Sequence, residues 1–185
     1  MSIRLPKEIS DEEILAHYLF DRSFARKVIE EKKLINKDVF LPNKGGVSLQ
    51  RTSYCDENMC KSLATRILPD RKFVGFFCFR KLDFLKVKSE YVKSRPEFSA
   101  EIKSTPLNEN FEYILENVEE VCLDDLGNPA HANLIYLNPA IVGDESPNTA
   151  IRSFSRKLSK VCKILIDINP YPDAYLGKKI LDVFG

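Results

Sequence analysis

The chain has 185 residues, 44% of them hydrophobic, and a formal net charge of +1. That length suits one domain, or one domain with a small appendage, and such a domain buries roughly 70% of the surface of its unfolded chain, so no disulfide or metal is needed to make a core. The near-zero charge excludes a polyelectrolyte binder; any contact with nucleic acid or membrane must come from a local patch.

The opening MSIRLPKEISDEE has no apolar segment and turns acidic early, so it does not read as a secretory signal. Residues 9–34 then open with Ser10 and place Glu13 three residues later, a capping-box signature. Ile14, Leu15, Tyr18 and Leu19 follow at helical spacing, and Phe24, Val28 and Ile29 continue the pattern. This predicts two helices or one bent helix. Pro42 and Gly45-Gly46 mark a turn. Val47, Leu49 and Arg51 alternate with Ser48, Gln50 and Thr52, which predicts a strand. Residues 56–68 read as a helix ended by Pro69.

Residues 73–81 are dense in aromatic and β-branched side chains and predict a central strand. A helix over 83–95 and a strand over 97–106 follow. Phe111, Ile114, Leu115 and Val118 share one helical face, so residues 108–121 are expected to be helical, with a strand over 131–137 after them. Residues 146–166 begin with Ser-Pro and line Ile151, Phe154, Leu158, Val161, Cys162 and Leu165 along one face of a long helix. The tail, 169–185, carries two prolines and aromatic residues; it reads either as a docking arm or as a segment folded back on the core. With no internal repeat and no clear linker, the order of elements favours one compact α+β domain over residues 1–168, a small mixed or antiparallel sheet with helices packed on it.

The familiar chemical signatures are missing. There is no phosphate loop, no G-x-G-x-x-G, no nucleophile elbow and no H-E-x-x-H. Only two histidines are present. His17 falls inside the first helical pattern and reads as a partly buried helix residue. His131 stands where the turn after Pro129 enters a strand, a place from which a rigid scaffold can present a side chain. It could act as a general acid or base near neutral pH, or its ring could donate to a nearby carbonyl and fix the turn. Arg51 could hold a phosphate or carboxylate with two parallel hydrogen bonds, or cover an apolar edge with its stem. If the strands carrying them are neighbours, Arg51 and His131 could converge into a set suited to a nucleotide or a phosphodiester.

The five cysteines are odd in number and read as reduced thiols of a cytoplasmic protein. Cys55 and Cys60 form the only close pair, at C-x4-C spacing. A zinc site would want a second close pair or nearby histidines, so no metal and no cofactor is expected. Charge is segregated: residues 108–127 hold seven acids and no Lys or Arg, and residues 146–166 hold five basic residues and no acid. Arg152, Arg156, Lys160 and Lys163 would form a ridge on one helical face, able to follow a nucleic-acid backbone or to lie against an acidic helix. No uncharged apolar run approaches the length of a membrane span.

Three segments, ISDEEILAHYLF, DVFLPNKGGVSLQR and NPAHANLIY, together resemble a family of small uncharacterised bacterial proteins with F-x-P, V-S-L-x-R and N-P-x-H-A-N-L motifs. The resemblance covers most of residues 9–137, implies an association with mobile or defence-type gene neighbourhoods, and places Arg51 and His131 at matching motif positions. Three functions are therefore expected in order. The first is an accessory or interaction subunit of a larger bacterial assembly, with a protein partner or a second copy of itself. The second is a small metal-independent enzyme acting on a nucleotide or RNA through His131 and Arg51. The third is a nucleic-acid-binding module built on the basic helix.

Overall fold

The structure is a computed structural model. It describes residues 4–21, 28–29, 34–35, 37–42, 46–114, 120–122, 127–137 and 149–185. Ten strands are assigned among these: β1 (Arg4–Pro6), β2 (Ile14–Phe20), β3 (Val28–Ile29), β4 (Leu34–Ile35), β5 (Val47–Arg51), β6 (Phe73–Arg80), β7 (Ala100–Ser104), β8 (Glu120–Cys122), β9 (His131–Tyr136) and β10 (Lys163–Ile166). The helices are α1 (Glu57–Ile67), α2 (Lys81–Ser94), α3 (Thr149–Ser159) and α4 (Ile180–Phe184), with a 3-10 turn over Lys37–Phe40. Six strands form one antiparallel sheet in the order β10-β6-β2-β5-β9-β7. The pairs β1–β8 and β3–β4 stand apart from it. This is the expected α+β domain, and its sheet is antiparallel.

Both faces of the sheet are covered, which explains a misleading pattern near the start. Leu15 and Leu19 of β2 join Leu49, Phe77, Phe79, Ala132 and Leu134 in one core, under α2, α3 and the 3-10 turn. Ile14, Ala16 and Phe20 join Phe76 and Cys78 in a second core, under α1 and α4. A strand buried on both faces is apolar at nearly every position, so Ile14, Leu15, Tyr18 and Leu19 match a helical template while forming a strand. The expected helix over this stretch is thus corrected to β2. The capping box also fails. The Ser10 carbonyl accepts from the Glu13 amide in a turn, and the Glu13 side chain goes elsewhere.

Two further expectations change. Over 108–114 the chain turns instead of coiling into a helix. The Asn108 carboxamide oxygen accepts from the amides of Asn110 and Glu112, capturing backbone donors that a helix would use. Phe111 sits at φ 61°, and Leu107 bridges Tyr113. Of the rest of that expected helix, residues 115–119 lie outside the described residues and Glu120–Cys122 is β8. The long helix expected over 146–166 starts by Thr149 and stops at Ser159; its first residues, 146–148, lie outside the described ones. Ile151, Phe154 and Leu158 are buried as the periodicity required. Beyond Ser159 the chain turns and the Lys163–Ile166 run pairs with β6. There Ile164 packs on one core and Leu165 lies in the other, a period of two. Phe154 packs against Phe84, Tyr91, Phe98 and Tyr136 and centres the first core.

The strands over 47–51, 73–80, 100–104 and 131–136 and the helices over 57–67 and 81–94 form where the sequence placed them. Asp56 caps α1 by accepting from the Met59 amide. The tail is held against this same helix. Lys61 is buried and pairs with Asp167 at 2.7 Å while donating to the carbonyls of Asn169 and Ala174. Glu57 accepts from the Ile180 amide and Asn58 from the Tyr175 amide. Tyr175 packs on Phe76. These contacts lay residues 169–185 against α1 and the sheet.

Candidate ligand-binding cleft

The central strands β2 and β5 pair only at Leu15↔Arg51 and Ala16↔Gln50. Beyond that point β2 stays paired with β6 through Phe20, and β5 stays paired with β9 through Val47. The two strands therefore part company inside the sheet. Their unused backbone groups need other partners, and one comes from a side chain: His17 Nδ1–H donates to the Ser48 carbonyl across the gap at 2.6 Å. A carbonyl can only accept, so the His17 proton sits on Nδ1. The opening is a cleft of about 520 Å³, walled by β2, β5, the end of α1 and the segment around Leu107 and Phe111. That volume lies in the range of small-molecule sites.

The polar groups of the cleft are few and connected. Tyr18 Oη donates to Gln50 Oε1 at 3.1 Å, and Gln50 Nε2 donates to Asn128 Oδ1 at 2.9 Å. Gln50 and Asn128 are both buried. Burial raises the Tyr18 phenol well above its ordinary range, so it stays a protonated donor. Asn128 is fixed by its backbone, which exchanges hydrogen bonds with Leu107. Gly127, at φ 106°, permits that approach; a Cβ there would stand 2.1 Å from the Asn108 carbonyl oxygen. Arg66 pins the same wall by donating to the Gly127 carbonyl and lying over the Phe111 ring.

His131 is the direct partner of Gln50 across the β5–β9 ladder and also lines the cleft. It is 8% exposed. Its Nδ1–H is shared between the carbonyl of Thr105 at 2.9 Å and the Thr105 hydroxyl at 2.8 Å. Burial lowers its pKa, against a smaller raising effect from the Thr105 carbonyl. The ring is therefore neutral at pH 7, with the lone pair on Nε2. The carbonyl that accepts from it lies on the β7 side and not in its own turn. Both histidines of the chain thus line one cleft.

Arg51 does not join them. Its strand is indeed the neighbour of the His131 strand, but the register pairs Gln50 with His131 and sends Arg51 to the opposite face. There it is 0% exposed and every guanidinium N–H is engaged. Nε and Nη2 donate to the two carboxylate oxygens of Glu13 at 2.6 and 2.9 Å; Nη1 donates to the Pro6 carbonyl and the Ser104 hydroxyl, and Nη2 also to the Glu8 carbonyl. A guanidinium has five donors, so none is left for a ligand. The pairing of Arg51 with His131 in one site is corrected on this geometry. Among the described residues that line the cleft, Arg71 is a cation, and it is exposed.

The basic ridge is divided. Arg152 and Arg156 are exposed on α3, but Lys160 lies in the turn after the helix and Lys163 opens the edge strand β10. Four residues that would share a helical face thus sit on three different local structures. Sequence reasoning missed Tyr18, Asn128 and Arg71, and it placed His17 on a helix. A signal did exist for Gln50, which alternation set on the face opposite Arg51. No known family, curated protein or solved structure matches the chain. The likeness of the three segments to the small bacterial family rests on those motifs alone.

Proposed function

We propose that the protein binds a small, partly apolar ligand with a hydrogen-bonding edge, in the cleft between β2 and β5. The observation that carries this reading is the break in pairing between two central strands, with a Tyr18–Gln50–Asn128 chain and two histidines at the break. A few convergent polar groups in a mainly apolar hollow are the usual make-up of a small-molecule site. Asn128 and His131 both line the cleft and carry a donor and an acceptor of the kind that suits the edge of a heteroaromatic ring, and Arg71 suits an anionic group. A nucleotide combines the two. Neutral His131 is also in the state a general base requires, so the metal-independent nucleotide-acting reading survives with His131 and without Arg51.

Titration calorimetry of the full chain with nucleosides and nucleoside monophosphates tests this. The monophosphates should bind more tightly than the nucleosides, and Arg71→Ala should erase that difference. Absence of binding across the panel would sink the reading.

A second reading, the interaction subunit, has its own support. Ile168 and Leu181 are 76% and 73% exposed, and Tyr171 and Leu176 are also exposed, on the segment that follows the edge strand β10. Apolar exposure beside what is, among the described residues, the outermost strand of the sheet suits a protein partner or a second copy of the chain. Light scattering over a concentration series, with Ile168→Asp as control, reads self-association directly. Membership of a bacterial defence assembly, cytoplasmic residence and nucleic-acid binding along Arg152, Arg156, Lys160 and Lys163 remain proposals of the motifs and charge pattern. Among the described residues, no helix is long and apolar enough to cross a membrane.

A further inference from the structure

We propose that Cys55 and Cys60 are a redox-active dithiol, a site that closes reversibly to a disulfide beside the cleft. Cys55 immediately precedes the Asp56 cap of α1, and Cys60 lies in the helix's first turns. Their sulfurs are 3.2 Å apart, and the Cys60 thiol faces both the Cys55 sulfur and, at 3.3 Å, the Cys55 carbonyl. A disulfide needs about 2.05 Å between sulfurs, so the pair must close by about 1 Å. Cys78 and Cys162 are free thiols of the same region, and Cys78 interacts electrostatically with both Cys60 and Cys162; among the described residues the Cys55–Cys60 pair is the one joined by a thiol–sulfur hydrogen bond. No group of three or more His, Cys, Asp or Glu side chains that would suit a metal gathers there among the described residues. The pair adjoins the cleft, because Cys60 interacts with the hydroxyl of Tyr18, which holds Gln50.

The oxidant is a peroxide. The Cys55 sulfur attacks one peroxide oxygen, the O–O bond breaks, and a sulfenic acid and water form. The Cys60 sulfur then displaces the sulfenic oxygen, which leaves with the Cys60 proton as a second water, and the S–S bond forms. Two thiols lose two electrons and one peroxide is reduced to two waters. A small dithiol reductant reverses the change by thiol–disulfide exchange.

The test is chemical and needs no ligand. Trypsin cuts after Arg51 and Lys61, so both sulfurs fall on the single peptide Thr52–Lys61. The native full chain is exposed to hydrogen peroxide, denatured, alkylated and digested without reductant. The expected result is a Thr52–Lys61 peptide two hydrogens lighter and resistant to alkylation, restored by dithiothreitol, while Cys78 and Cys162 still alkylate. In Cys60→Ser, Cys55 should instead accumulate as a sulfenic acid that dimedone traps. Full alkylation of both sulfurs after peroxide overturns the proposal. So does oxidation of Cys78 and Cys162 at the same rate. Oxidation of exposed Met59 in this peptide adds one oxygen mass and is told apart from the disulfide.

Discussion

Gln50 and Arg51 are neighbours on one strand, and they show two opposite ways of burying a polar side chain. At the Arg51 end the strands are paired and the guanidinium meets a bidentate carboxylate, two carbonyls and a hydroxyl. At the Gln50 end the strands part, and the amide joins a chain of partners that faces a hollow. A buried charge must be fully satisfied to be tolerated, so the first end is closed to ligands by its own completeness. The second end is not closed over, because its polar groups border the cleft. Completeness marks structure here, and the open end is where the proposed ligand would sit.

The sharpest way to break this contrast is to remove one half of the closed end. Glu13→Ala leaves Arg51 buried and unpaired and should cost about 3–5 kcal/mol, read by urea denaturation. Glu13→Leu combined with Arg51→Met should recover most of that loss, since an apolar pair of similar volume needs no partner. If Glu13→Ala were neutral, Arg51 would have reached solvent and become available at the surface after all. At the open end, Gln50→Ala should cost less, about 1–3 kcal/mol, because the Tyr18 hydroxyl and Asn128 lose a partner but face a cavity that water can enter.

The pH dependence of stability separates the two ends further. The folded-state pKa of His131 lies below its ordinary value, so the unfolded chain binds the proton more readily. The contribution of neutral His131 is complete above the ordinary histidine value of about 6.5 and is lost progressively as the pH falls below it. Denaturation series between neutral and mildly acidic pH should show this loss, and His131→Asn should flatten it. An unchanged slope in that variant would place the titration elsewhere. The smallest effect is expected at Arg71. Arg71→Ala should change stability by no more than about 0.5 kcal/mol, as for other exposed side chains, while weakening the binding of anionic ligands. A large stability loss there would mean that Arg71 braces the cleft instead of serving it.

Much of the architecture could be read locally. Aromatic density marked β6, alternation marked β5, and Pro69 marked the end of α1. The site was less legible. Residues 14–20 carry no single-face pattern because two helical layers bury them from both sides, and a helical template fits such a run by chance. With β2 misread, His17 and Tyr18 could not be placed beside Gln50. Alternation along β5 did separate Gln50 from Arg51, but the offset against β9 decides which of the two meets His131. That offset is a matter of long-range pairing.

The amino-acid sequence by itself determined an α+β domain, the local limits of most elements, the close Cys55 and Cys60 pair, and a His131 at a strand entrance. Those features depend on periodicity, capping and turn chemistry within a few residues of each other. The tertiary structure alone decided that Arg51 is locked to Glu13, that both histidines share one cleft, and that the C-terminal segment is bound to α1 through Lys61 and Asp167. Each of these joins residues far apart in the chain, where sheet register and the completeness of buried hydrogen bonding decide which groups meet, and neither can be read from local spacing.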